Sequence, residues 1–372
     1  MATILANRHL IGSAPRIVVK VGSSSLTGTD GGLAREALGE LVATLSAARE
    51  RGQDVVLVSS GAVAAGIAPL HFTKRPKNVR DQQAAAMVGQ AQLMEAYSRE
   101  FARRGITVAQ VLLTPDDVVN RAHYANVLAA LRRLLHYGVV PIVNENDAVV
   151  TDDLRFGDND RLAALTAHLV GASALILCTD VDGLYSAPPT HPDARLISNV
   201  TDFSELKGYS ITGKGSDVGT GGMSSKVRAA DIATAGGVGT LLLATADLGK
   251  ALDGQHVGTW FAPRKVRANA RALWLKYSAQ AAGMLHIDGG ASMALQVGGA
   301  SLLAVGITAV DGEFSAGELV QVVDAEGSLI GRGIVAFSAA EVKRFIGQAP
   351  YEHERRRAPR AVIHADDFVP LT

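Results

Sequence analysis

From residue 16 to about 261 the chain alternates short valine-, isoleucine- and leucine-rich runs with longer stretches of helical periodicity, which leaves few folds open. The runs RIVVKVG (16–22), DVVLVSSG (54–61), TVAQVLLT (107–114), VVPIVNEND (139–147), ALILCTD (174–180) and TLLLAT (240–245) read as buried strands. Between them lie helical patterns over 33–51, 82–105, 125–138, 161–172 and 224–239; in the first, Leu38, Leu41, Val42 and Leu45 fall on one face. Near-continuous apolar strands separated by helices predict an α/β fold whose mainly parallel sheet is sandwiched by helices. In such sheets ligands bind beyond the carboxyl ends of the strands, so those ends are where chemistry is sought.

After residue 262 the texture changes. Residues 263–282 are basic and helical, a linker helix. Beyond them the runs LVQVV and SLIGRGIVAF flank the turn DAEG, a hairpin pattern that predicts a small β-barrel domain over 283–372. The catalytic domain is accordingly expected over 1–262. A chain of 372 residues has room for both.

The charges exclude some partners. Lysine plus arginine and aspartate plus glutamate number 36 each, so the chain is no polyelectrolyte partner for nucleic acid or membrane. Residues 283–372 hold 7 basic and 11 acidic side chains, a balance of −4 that gives RNA little to hold; the triplet Arg355–Arg357 sits beside Glu352 and Glu354. The single cysteine, Cys178, lies inside an apolar strand and reads as core. The N-terminal stretch lacks a charged region followed by an apolar core, and no apolar run approaches membrane-spanning length; a cytoplasmic protein is expected.

Two glycine-rich loops compete for a phosphate. GYSITGKG (208–215) nearly spells a P-loop, but Gly215 stands where Ser or Thr must ligate magnesium, and neither a buried strand nor a helix flanks it. GTGGMSSK (219–226) runs into a helix: Gly219, Gly221 and Gly222 let the backbone approach a ligand, Ser224 and Ser225 can cap the helix, and Lys226 falls in its first turn. Lys20, inside an otherwise apolar strand that ends in Gly-Ser-Ser-Ser, needs a partner or an anion at the strand end. The acidic stretch 144–160 does not have EF-hand spacing, and Asp160 falls where a helix should start; Asp152 and Asp153 read as a solvated loop. SSGAVAAG (59–66) lacks the G-x-S-x-G frame of a nucleophilic serine and reads as a turn whose amides hold a carboxylate.

In order, VVKVGSSSLTG, VSSGAVAAG, PIVNENDAV, GDND, LCTDVDGLY and GTGGMSSK resemble the glutamate-phosphorylating branch of the amino-acid kinase family, and the C-terminal part resembles the PUA domain that many bacterial members carry. That resemblance covers almost the whole chain. It implies ATP-dependent phosphorylation of the γ-carboxylate of L-glutamate to L-glutamyl 5-phosphate, the first step of proline biosynthesis. By the same likeness Lys20 and Lys226 correspond to the phosphate-binding lysines, with Asp160 organising them. Thr179, Asp180 and the loop Thr220, Gly221, Gly222, Met223, Ser224, Ser225 match the nucleotide site; Ser60, Asp147 and Asn159 match the glutamate site. No protein metal site is implied, Mg2+ being held mainly by the ATP phosphates. A homo-oligomer (dimer or tetramer), feedback inhibition by proline and a glutamyl-phosphate reductase as partner are also implied. Loop 207–217, with Lys214, matches no motif. The alternatives are another kinase of the fold (acetylglutamate kinase, aspartokinase or uridylate kinase) and an RNA-binding protein acting through the PUA-like domain.

Overall fold

The computed structural model describes residues 5, 7–28, 32–114, 117, 121–149, 159–209, 222–264, 275, 281–346 and 361–371. The chain divides into two compact units, Met1–Ala270 and Arg271–Thr372. Most of the linker helix expected over 263–282 lies outside the described residues, as do Asp152, Asp153, Lys214, Thr220, Gly221 and Arg355–Arg357.

In the first unit β1 (Arg16–Val21) is followed by α1 (Arg35–Glu50), β2 (Asp54–Ser59), the short α2 (Ala62–Ile67), α3 (Val79–Ala102), β3 (Val108–Leu113), α4 (Arg121–His136), β4 (Val140–Glu145), α5 (Asn159–Val170) and β5 (Ala174–Thr179). Then come β6 (Leu184–Tyr185), β7 (Leu196–Ile197), β8 (Asn199–Val200), α6 (Met223–Ala235), β9 (Gly239–Ala244), α7 (Leu248–Leu252) and β10 (Thr259–Phe261). One eight-stranded sheet has the order β3-β4-β2-β1-β5-β9-β10-β8. From β3 to β9 every neighbouring pair is parallel. The direction reverses at β10, antiparallel to β9, and β8 runs parallel to β10. The sheet is thus mainly parallel, as the alternation predicted.

Strand alternation sorts side chains between two covered faces. Ile17, Val19 and Val21 of β1 join Val55, Leu57, Leu38, Leu45, Leu93 and Phe101 in one buried cluster, against α1 and α3. Val18 and Lys20 alternate with them, and α5 packs along β1, β2, β4 and β5. Lys20 is therefore on the α5 face, and that placement decides its partner.

The turn after β2 requires a glycine: Gly61 has φ +109° and starts α2 directly behind Ser60. Helices α2 and α3 then cross with their backbones touching. A Cβ on Gly66 would overlap the Ala85 carbonyl, and one on Gly89 would overlap that of Ala62. Gly89→Ala is expected to cost about 1–3 kcal/mol through overpacking, read as a lowered urea midpoint at unchanged m-value.

The second unit carries β11 (Gly283–Ile287), α8 (Gly289–Val297), β12 (Ile307–Gly312), β13 (Leu319–Val323), β14 (Leu329–Ile334), α9 (Ala339–Phe345) and β15 (Phe368–Pro370). Its sheet has the order β12-β11-β13-β14-β15 around its own core, which includes Leu285, Ile287, Val320, Val322 and Ile363. The expected hairpin is β13–β14, paired antiparallel. The two helices had not been expected. Asp288 caps α8 by accepting from the Ala291 N–H at 2.7 Å, and Glu341 accepts from the Ser338 N–H at 2.9 Å ahead of α9.

Candidate active site

The carboxyl ends of β4, β2, β1, β5 and β9 lie side by side, so residues just beyond them form one row. Neighbouring strands are roughly 5 Å apart. The row places Asp147 beyond β4, Ser60 beyond β2, Lys20 near the end of β1, and Thr179 and Asp180 at the end of β5.

At its centre Asp160, the second residue of α5, is fully buried. Lys20 Nζ lies 2.6 Å from its Oδ1. Lys226 Nζ lies 3.1 Å from its Oδ2, and Ser225 Oγ donates to the same oxygen at 3.1 Å. Both lysines are themselves buried, at 4% and 7% exposure. Burial by itself would push the Asp160 carboxyl up; the ammonium groups of Lys20 and Lys226 outweigh it and hold the carboxyl below the ordinary aspartate value. Two lysines around one carboxylate leave the trio with a charge of +1 (2 − 1). A buried excess of positive charge is costly unless an anion is to be bound there.

Lys226 arrives through α6, whose cap is Gly222 with no side-chain bond. The expected serine cap is corrected: Ser224 and Ser225 lie inside the first turn, Ser224 is exposed, and Ser225 turns to Asp160. A fully buried carboxylate needs its donors more than a helix end that water reaches. Asp160 likewise spends its oxygens on the lysines and Ser225, although it sits in a first turn.

On one side of the trio Asn159, next to Asp160, donates from Nδ2 to Ser60 Oγ at 3.0 Å and to Asn144 Oδ1 at 2.8 Å. Asn144 at the end of β4 donates in turn to Gln90 Oε1 on α3 at 2.9 Å. Ser59 Oγ and the Tyr97 hydroxyl, also on α3, are 2.8 Å apart. Asp147 is half-buried in the turn after β4. On the other side Thr179 Oγ1 donates to Asp180 Oδ1 at 2.9 Å, Asp180 being exposed. Thr245, after β9, donates to the Thr179 carbonyl at 3.2 Å, and its hydroxyl meets Ser25 Oγ at 2.8 Å. Gly222 and Met223 stand at the start of α6, half-buried.

Sequence reasoning passed over Asn144, Gln90, Tyr97 and Thr245, while Ser25 belongs to the Gly-Ser-Ser-Ser turn already noted after β1. Asn144 had a signal, a polar residue closing the apolar strand VVPIV; the others meet the site only through the fold. Cys178 is core as expected, and burial pushes its thiol up to about 12, far from a reactive thiolate.

A model of the amino acid kinase family matches residues 15–244, and a PUA-domain model matches 283–352. The chain belongs to the amino acid kinase family. Its curated relatives are more particular: glutamate 5-kinase of Rhodococcus opacus (strain B4) is 49% identical over 98% of this chain and 100% of its own length. Glutamate 5-kinase of Salinispora arenicola (strain CNS-205) is also 49% identical, over 98% and 100% of the two chains. That of Streptomyces coelicolor (strain ATCC BAA-471 / A3(2) / M145) is 47% identical over 98% of each.

Proposed function

We propose that the protein transfers the γ-phosphoryl group of ATP to the γ-carboxylate of L-glutamate, giving L-glutamyl 5-phosphate and ADP, the opening step of proline biosynthesis. The observation that carries this reading is the buried Lys20–Asp160–Lys226 trio with its excess positive charge. It sits between the polar side chains at the ends of β2 and β4 and the end of β5, in a chain almost half identical to glutamate 5-kinases.

A carboxylate with an ordinary pKa of about 4.3 is ionised at neutral pH, so the nucleophile needs no general base. The barrier lies in bringing two anions together. Lys20 on β1, between the two sides, neutralises charge on the transferring group; Lys226 does so from the start of α6, where free amides add a positive end. Asp160 holds the two ammonium groups at one spot without cancelling both. Ser60, Asn159 and Asp147 receive the amino acid, while Thr179, Asp180 and Thr220–Lys226 receive the nucleotide. Among the described residues no group of three or more His, Cys, Asp or Glu side chains is placed to hold a metal. The family reading supports a Mg2+ held mainly by the ATP phosphates, where it would supply further charge neutralisation.

The family reading also supports a catalytic domain over 1–262 followed by a linker helix over 263–282 and the PUA domain over 283–372. It further supports a cytoplasmic homo-oligomer, dimer or tetramer, that passes its labile acyl phosphate to a glutamyl-phosphate reductase. No described helix is long and apolar enough to cross a membrane.

Asp147 gives the specificity test. Free glutamate brings an ammonium group to this carboxylate, and N-acetylglutamate does not. Losing the charge-assisted contact to this half-buried carboxylate costs about 2 kcal/mol, roughly thirtyfold. In an ADP-release assay N-acetylglutamate is expected to show kcat/KM at least about thirtyfold below glutamate. Comparable values for the two acids would refute the glutamate reading.

A further inference from the structure

The hydrogen-bond polarity of the Ser60–Asn159–Asn144–Gln90 chain is fixed by two backbone groups. The Glu145 N–H donates to Asn144 Oδ1 at 2.9 Å, and an N–H can only donate. Asn144 must then present Nδ2 on its other side, toward Gln90, and Gln90 must offer its oxygen. Asn159 faces the same Asn144 oxygen and must offer Nδ2, whose two hydrogens go to that oxygen and to Ser60 Oγ; the Ser59 carbonyl, an acceptor only, lies 3.3 Å from the nitrogen and shares the second of them.

Two consequences follow at the end of the chain. Ser60 Oγ accepts from Asn159, so its own O–H is kept as a donor for an anion. Asn159 has spent its nitrogen, which leaves Oδ1 as an acceptor for a cation. A carboxylate donor and an ammonium acceptor side by side match the two charges of a free amino acid.

We propose that Gln90 is a positioning residue for this reaction: it locks the Asn144 amide, and through it sets Ser60 as donor and Asn159 as acceptor toward the amino-acid substrate. Gln90 touches no reacting atom. It is 7% exposed, and among the described residues its Nε2 has no hydrogen-bond partner, so acceptance from Asn144 is the one polar contact its side chain makes. Burying a primary amide to use only its oxygen is wasteful for packing alone. By strand alternation Asn144 lies on the face of Val140 and Ile142, which pack in the cluster shared with α3. The chain therefore runs from α3 on one face of the sheet, around the carboxyl edge, to α5 on the other. Tyr97, two helical turns beyond Gln90 on α3, brings its hydroxyl to 2.8 Å from Ser59 Oγ.

The inference rests on the glutamate-kinase reading above and deepens it, and steady-state kinetics on the full-length protein separate the two. Gln90→Met keeps the bulk and removes the acceptor. It is expected to raise KM for glutamate about tenfold, the scale of one buried donor left unpaired, with KM for ATP unchanged. Gln90→Glu keeps an acceptor oxygen toward Asn144 and replaces the nitrogen without a partner by a carboxyl oxygen that burial favours in the protonated, neutral form, so its KM for glutamate should stay within about threefold of wild type, the effect of a pair left intact. An unchanged KM in Gln90→Met, a parallel rise in both KM values, or a Gln90→Glu variant as impaired as Gln90→Met overturns the proposal. Should Gln90→Met fail to fold, Gln90→Glu decides: a tenfold rise in its KM for glutamate overturns the proposal and a near-wild-type value supports it. A wild-type protein inactive on glutamate would bring down the parent reading; an active wild type with an indifferent Gln90→Met brings down this inference alone.

Discussion

Lys226→Ala is expected to lower turnover by about 10²–10³, the loss seen when one preorganised donor to a developing anion is removed. The protein should remain folded. Removing this ammonium leaves Lys20 paired with Asp160 at 2.6 Å, one charge against one, so the buried site becomes neutral. The loss should fall on kcat more than on either KM, because the group acts where phosphoryl charge is in transit. Lys226→Arg should recover only part of the rate, since a planar fork does not reproduce a point charge beside Asp160. Coupled ADP release, with far-UV circular dichroism as the control for folding, measures both. Near-normal turnover in Lys226→Ala would remove Lys226 from the chemistry.

Asp160→Asn is expected to have the largest effect on stability. It leaves two buried ammonium groups facing each other with no carboxylate between them, a change of the kind that costs about 3–5 kcal/mol. The pH dependence has a definite sign. The folded Asp160 carboxyl titrates below its ordinary value, so its contribution is complete above the unfolded value of about 3.9. It is lost as pH falls through the folded value. Urea denaturation should therefore show wild type well above Asp160→Asn at pH 7, with the gap closing below about pH 4 as wild type takes up the proton. A gap that stays constant with pH would contradict the ion-pair account.

The strands and long helices of the first unit were legible because their apolar runs have the right period and length, and the row of site residues follows from strand order. Asp160, Lys20 and Lys226 stood out as charges in apolar or helix-start positions, and the fold joins them. What stayed hidden depends on tertiary meeting. The Asn144–Gln90 bond links residues 54 apart in sequence, with no local pattern to announce it. The serine cap on α6 was the natural local reading, but a buried carboxylate outcompeted it for Ser225. Helix α8 begins with two glycines, poor helix formers, and leaves Met293 and Val297 at 69% and 85% exposure, so no polar face marks it. Strands β6 to β8, two residues each, are too short for any period to register.

The most direct measurement of the central claim is trapping the product. With ATP, Mg2+, L-glutamate and hydroxylamine, the acyl phosphate should appear as γ-glutamyl hydroxamate in step with ADP. Both signals should fall together in Lys226→Ala, and neither UMP nor aspartate should replace glutamate. ADP release without hydroxamate, or hydroxamate formation indifferent to Lys226, would contradict phosphoryl transfer to the glutamate carboxylate at this site.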